Sequence, residues 1–399
     1  MIEEINISDC RFFGLTRAGI FAASVVNKVD IRRSTFEDIR SSASYAVGVL
    51  VGNNIGDSIG GNTVIEGCDF RRITCTQASG GEIHGVQLYG TEGRVINNTF
   101  NDIYRDDAGR AYGDEGLYVK FLYGVISHNF LNNAGFGQAP ITVKGYYYSQ
   151  GTPGASSSPR GYGVRIFANT IRGNDANRAA DAGIQINSDW ADISHNVIEG
   201  RPGQAGIRCD DVIGLTVKAN RFVDFGGQYG IYAKAVDGAV HIEGNDMHNF
   251  LSNAAYGSMF GIFVSPYSAI GSAVFISDNR VSLASVPANT GTRHGIYVIA
   301  NGADEIYHAA VRGNFIDIDR GAGTKYGVYV YLDAATSASI DNLVVEANVV
   351  TGTVTSPLFY NLLNGAAVGA RRVLNNSWQA AGAVGQVLTV QADGSVLPA

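Results

Sequence analysis

Two lysines and a scatter of acids carry the chemistry in this sequence. Lys120 and Lys144 close two successive copies of one phrase, Leu117-Tyr118-Val119-Lys120 and Ile141-Thr142-Val143-Lys144. If the copies stack at the spacing of paired strands, about 4.8 Å, two ammonium groups face each other. Their repulsion is about 1 kcal/mol in water at 4 Å and grows where water is scarce. Something negative belongs between them. One reading is an anionic substrate such as a uronate, with a lysine or Tyr118 moving the proton at C5. The other is neutralisation by Asp106, Asp107, Asp114 and Glu115 as structural ion pairs.

Carboxylates offer a competing chemistry. Glycoside hydrolysis uses two of them, about 5–5.5 Å apart for retention or about 6.5–9.5 Å for inversion. Asp189 and Asp210 fall on adjacent repeats, while Glu115 and Asp181 lie two repeats apart, about 9.6 Å along the stack. Glu115 and Asp210, at three repeats or about 14 Å, are too distant to act as a pair. The catalytic candidates are therefore Glu115, Lys120, Asp189 and Asp210. His84, Gln87, Tyr118, Lys144, Gln185, Asn187, Arg208, Tyr232 and Lys234 flank them as candidate substrate-binding residues. His84 could also serve as acid or base. Arg208 could grip a substrate carboxylate bidentately, although a local bridge to Asp210 is the favoured role. His128 and His195 recur in the phrase Ser-His-Asn and read as turn residues.

The elements that must position these groups are visible as a repeat. Ala205 to Gly226 shows its grammar: a Gly, Ile-x-Cys, a bend, Leu-x-Val, then Asn-x-Phe. The Asn slot recurs at Asn98, Asn129, Asn169, Asn196, Asn220, Asn245, Asn279, Asn314, Asn348 and Asn376, with Cys10, Ser34 and Cys68 in the same slot earlier. Alternating strands with no helical stripe between them exclude βαβ units and suit a solenoid in which each coil bonds to the next. An inward Asn amide, with two donors and an acceptor, can satisfy buried turn backbone.

This pattern, over residues 5 to 380, resembles the right-handed parallel β-helix of pectin lyase-like proteins and phage tailspikes. The resemblance implies an all-β chain: a single right-handed parallel β-helix of about 12 coils with loop insertions, spanning 1–380. Residues 381–399 then form a C-terminal tail, similar to short linkers in phage tail fibres, and the chain reads as a piece of a longer one. The activity implied is that of a polysaccharide depolymerase acting on a bacterial surface glycan, and the abundance of acids near the groove favours hydrolysis slightly over β-elimination. A homotrimer located outside the cell or on a virion (phage tail) goes with it. Fold alone does not fix function. A non-catalytic glycan-binding adhesin and a polyuronate C5-epimerase are the alternatives. The Asp clusters that hold calcium in epimerase and pectate lyase relatives have no match here, so no metal or cofactor is expected beyond a weakly held Ca²⁺ at the acidic loop.

Composition narrows the classes further. With 399 residues, 45% of them apolar, a large core is available. The 29 basic and 36 acidic residues give a net charge of −7 with no Lys/Arg run, which argues against nucleic acid. No apolar stretch is long enough to span a membrane, and the first residues lack a signal region. Cys10, Cys68 and Cys209 fall in inward slots and should act as small apolar residues. Two loops, 101–114 and 145–161, are placed to wall a groove beside the lysines. Farther on, Phe263, Tyr297, Tyr329 and Phe359, with Tyr331 beside them, form an outward aromatic row suited to sugar rings or a partner subunit.

Overall fold

A computed structural model describes residues 2–398 apart from 23–25, 43–44, 53–59, 77–81, 106–113, 136–137, 145–162, 174–181, 201–202, 252–256, 267–270, 285–290, 301–304, 319–322, 333–337, 363–367, 381–385 and 391–395. Among the described residues the chain is all-β, with stacked parallel strands and no helix. Contacts divide it into two compact units, Met1–Gln204 and Ala205–Ala399.

In the first unit, Glu82–Ile96 pairs in parallel with Asp114–Ser127, setting His84 beside Glu115, Gln87 beside Tyr118 and Tyr89 beside Lys120. A second stack of shorter strands, Asp69–Cys75, Thr99–Arg105 and Phe130–Ala134, places Phe70, Phe100 and Leu131 in one column. The second unit repeats the arrangement. Ala205–Lys218, Tyr229–Glu243, Met259–Pro266, Arg293–Ala300 and Lys325–Leu332 pair in parallel. So do Arg221–Val223, Asp246–Leu251, Arg280–Ala284, Phe315–Ile318 and Val349–Gly352. Within 381–399, read from sequence as a tail, Gln386–Val390 pairs antiparallel with Ser377–Ala380 and with Val396–Pro398.

Packing explains why the phrase begins with Gly. A Cβ on Gly206 would sit 2.3 Å from the Phe222 ring, and one on Gly48 would sit 2.7 Å from Phe70. An inward side chain of the short strand, Phe70 or Phe222 here and Met247 or Ile316 at Gly230 and Gly295, thus fills the space that a larger residue would need. In the first unit Phe12, Phe36, Phe70 and Phe100 stack with centroids 4.8 Å apart and planes within 6° of parallel. That distance is the strand spacing itself.

The Asn ladder forms as the repeat predicts. Asn129 Nδ2 donates to Val95 O at 2.9 Å and to Asn169 Oδ1 at 2.9 Å, and the same Oδ1 accepts from the Asn129 backbone N–H at 3.0 Å. In the second unit Asn279 repeats this with Ile242 O and Asn314 Oδ1. Each amide therefore satisfies a buried backbone carbonyl and a buried backbone N–H of the preceding coil. The residue before each ladder position adopts left-handed backbone, with φ 57° at His128 and 56° at His195. Both histidines are turn residues. Cys68 and Cys209 are buried as expected, but Cys10 is exposed. Among the described residues its slot has a ladder neighbour on one side only, Ser34.

Candidate functional site

Three outward slots define the site in each unit: the residue before the phrase's Gly, the residue two after that Gly, and the one two farther on. In the first unit the first slot holds His84 and Glu115. The second holds Gln87, Tyr118, Thr142 and Gln185, and the third holds Tyr89 beside Lys120 and Lys144 beside Asn187. The structure thus gathers eight of the sequence candidates into one cluster.

The cluster is buried rather than open, which differs from the groove wall that the sequence suggests. His84 and Glu115 are each 1% exposed, and Lys120 is 4% exposed. His84 lies between two carboxylates, with Nδ1 3.1 Å from Glu115 Oε2 and Nε2 3.4 Å from Glu82 Oε2. The first contact lies off the line that a hydrogen bond would take. Burial by itself lowers the His84 pKa, but the charges and contacts of Glu115 and Glu82 outweigh it and push it up to about 9. His84 in turn holds the Glu82 carboxyl below its usual range.

Tyr45, Tyr89 and Tyr118 surround this pair, their phenols pushed up by burial and by nearby charge. Gln87 Nε2 donates to Tyr89 Oη at 2.7 Å, and Tyr45 Oη donates to Gln87 Oε1. Lys120 Nζ rests 5.5 and 5.8 Å from the Tyr89 and Tyr118 ring centroids. Burial pulls its pKa down, and Lys144 pulls in the same direction. Gln138 links the two halves. An amide facing a carboxylate must donate to it, and so turned it donates to Glu115 Oε1 at 2.8 Å and accepts from Lys144 Nζ at 3.2 Å.

Asp189 is buried in the first unit, whereas Asp210 belongs to the second. Asp106, Asp107, Asp181, the loop 145–161 and most of the loop 101–114 lie outside the described residues. Arg208 Nε contacts Asp210 Oδ2 at 2.5 Å, the local bridge favoured from sequence, and the guanidinium lies 5.6 Å from the Tyr232 ring. Lys234 is exposed on the next rung, in register with Asp210.

The same slots turn aromatic in the second unit. The second slot runs Tyr232, Phe263, Tyr297 and Tyr329, with Phe359 next in register. The side chain of Phe359 lies outside the described residues. A parallel column escaped the sequence reading: Tyr229, Phe260, His294 and Tyr326 occupy the first slot, with centroids 5.0, 4.9 and 5.1 Å apart. Its signal was available, since each residue directly precedes the phrase's Gly. Rings also meet across the columns, His294 with Tyr297 and Tyr326 with Tyr329, both at 4.8 Å. The result is a half-buried grid of eight rings. Burial lowers the His294 pKa to about 4, so its imidazole is neutral, and its Nδ1 has no hydrogen-bond partner. Burial raises the Tyr232 phenol to about 12.

Chemically, the first cluster can hold and move protons, and the second can stack against flat apolar faces. Among the described residues, no three His, Cys, Asp or Glu side chains are placed to hold a metal ion. No family model and no curated protein matches the sequence. Among solved structures, the chain is similar to two of PfbA, a surface adhesin of Streptococcus pneumoniae. The first has 12% identity and a TM-score of 0.44, over 99% of this chain and 91% of that one. The second has 12% identity and a TM-score of 0.42, over 93% and 91%.

Proposed function

We propose that this chain is a glycan-binding parallel β-helix, right-handed and wound in about 12 coils, whose aromatic grid stacks on the rings of a bacterial surface polysaccharide. The observation that carries the reading is the pair of registered ring columns, Tyr229/Phe260/His294/Tyr326 and Tyr232/Phe263/Tyr297/Tyr329. Seven half-buried rings around the buried His294 present flat apolar faces with polar edges, which is the chemistry of sugar recognition. Such a protein works outside the cell or at its surface. Titration with capsular, exopolysaccharide and alginate-type glycans tests the reading. Binding that Phe263→Ala and Tyr297→Ala weaken, with no change in chain length, supports it; binding indifferent to both changes removes it. If the grid is instead the seam of a homotrimer, those substitutions dissociate the oligomer in sedimentation.

Glycan processing is the second reading, favoured by one observation: His84 buried between Glu82 and Glu115 beside Lys120. Lys120, its pKa lowered by burial, could remove the C5 proton of a uronate, giving β-elimination or epimerisation. A depolymerase acting by hydrolysis would use Glu115, Asp189 or Asp210. New reducing ends, an unsaturated product or inverted C5 stereochemistry separates these three, and substitution of Glu115 or Lys120 should abolish whichever is found.

A further inference from the structure

An aromatic ladder with one rung missing lies on the outer face of the first unit. Val125 pairs with Arg165, and Arg165 with Asp192, so Tyr123, Gly163 and Trp190, each two residues earlier, fall in one outward column. The Gly163 N–H donates to Asp189 O at 2.9 Å, which seats Trp190 on the rung next to it. Tyr123 is 59% exposed and Trp190 50%. Their backbones stand two rungs apart, about 9.6 Å, and a Cβ on Gly163 between them would meet nothing within 4 Å. A ring placed midway would lie about 4.8 Å from each neighbour. Phe12, Phe36, Phe70 and Phe100 already stack at 4.8 Å in this unit.

Stability does not account for Trp190. Its φ is 55°, and it is the one large apolar side chain among the described left-handed residues. Its counterparts, three residues before the ladder-bonded Ile166 and Val217, are Gly163 and Gly214, with φ 68° and 71°. A bulky residue is strained in that region, and half of this indole is left in water. Strain retained at an exposed position points to function.

Charge and polarity set the occupant. Tyr123 and Gly163 line an open cleft of about 860 Å³. Charges around it balance: Arg94 shares a strand with Glu92, Arg165 is in register with Asp192, and Glu66 is engaged by Arg32 at 3.0 Å. A neutral group therefore fits. Gly163 offers no side chain to hydrogen-bond and its N–H is spent on Asp189, so the in-plane hydroxyls of a sugar would go unmet, whereas the C–H edge of an aromatic ring needs no partner. A single ring buries too little to bind tightly alone, so it arrives on a larger surface. We infer that the gap takes an aromatic side chain of a partner protein, with Tyr123 and Trp190 as the two anchors that sandwich it. This site is independent of the aromatic grid.

Fluorescence titration of the full chain tests the assignment. The chain has two tryptophans, so a Trp378→Phe background leaves Trp190 as the reporter. A capped Gly-Gly-Phe-Gly-Gly peptide at millimolar concentration should shift its emission to the blue and saturate. It should bind at least about fivefold more tightly than the same peptide carrying cyclohexylalanine, which matches its bulk but lacks the π face. Gly163→Asn, tolerated on left-handed backbone and with open space for its side chain, should fill the gap and abolish the shift at an unchanged melting temperature. Tyr123→Ala should weaken the Phe peptide by about threefold or more. Phe263→Ala should change none of these readings, so failure of the grid and failure of the gap are read separately. Equal binding of the two peptides, no saturable shift, or an undiminished shift in Gly163→Asn overturns the proposal. A shift of the same size with cellotetraose overturns the assignment to a protein side chain.

Discussion

His84 and His294 occupy the same slot, directly before the phrase's Gly, in the two units of one scaffold, yet their chemistry is opposite. His84 is pushed up to about 9 by two carboxylates, while His294, among rings alone, is pulled down to about 4. Both are buried. What separates them is the neighbour on the next rung, Glu115 in one case and Tyr326 in the other. A stacked fold therefore sets much of the environment of an outward residue by the neighbour one coil away, here reinforced by Glu82 on His84's own strand, and the same slot can become a proton-handling centre or an apolar platform.

The sharpest way to break this contrast is to remove the countercharge. Glu115→Ala leaves the His84 cation buried with the more exposed Glu82 as its remaining carboxylate, and should cost about 3 kcal/mol in denaturant unfolding. Glu115→Gln keeps the amide contact geometry and should cost less.

Stability against pH should show the two histidines with opposite signs. His84 has a folded pKa above its unfolded value near 6.5, so its contribution is complete below about 6.5 and is lost as pH rises toward about 9. His294 has a folded pKa below its unfolded value, so its contribution is present above about 6.5 and is lost as pH falls toward about 4. His84→Gln should flatten the alkaline limb of a melting-temperature profile, and His294→Phe the acid limb. A variant that flattens the wrong limb would undo the comparison.

The ladder supplies a control that should not distinguish the units. Asn129→Ala and Asn279→Ala each orphan two buried donors in the preceding turn, the backbone N–H and Nδ2 of Asn98 and of Asn245 respectively. Each should cost on the order of 2 kcal/mol, by equal amounts within error. A smaller effect is expected for Tyr297→Ala, about 1 kcal/mol of stability from lost ring contacts, with glycan affinity falling by about tenfold at most.

Much of this was legible from the amino acids because the repeat has one conserved geometry within the chain. The Asn slots, the Gly that admits Phe222 or Phe70, the pairing of Lys144 with Asn187 and the row from Tyr232 to Tyr329 all follow from aligning one phrase with itself. The stacking rule converts a match in phrase position into a neighbour in space, since paired strands sit about 4.8 Å apart. Tyr229, Phe260, His294 and Tyr326 obey the same rule, and their place directly before the phrase's Gly was the signal that the reading of the outward row passed over.

Contacts between columns, and depth, were decided by the tertiary structure. No spacing shows that Tyr45 and Gln138 close over His84 and Glu115, that Glu82 faces the outer imidazole nitrogen, or that Arg94, Tyr123 and Arg165 border one cleft. Sequence periodicity fixes which residues share a rung or a column, because backbone hydrogen bonds impose it. How far a side chain is removed from water, and which charge it meets there, depends on rotamers and on neighbours from other columns, which the period does not encode.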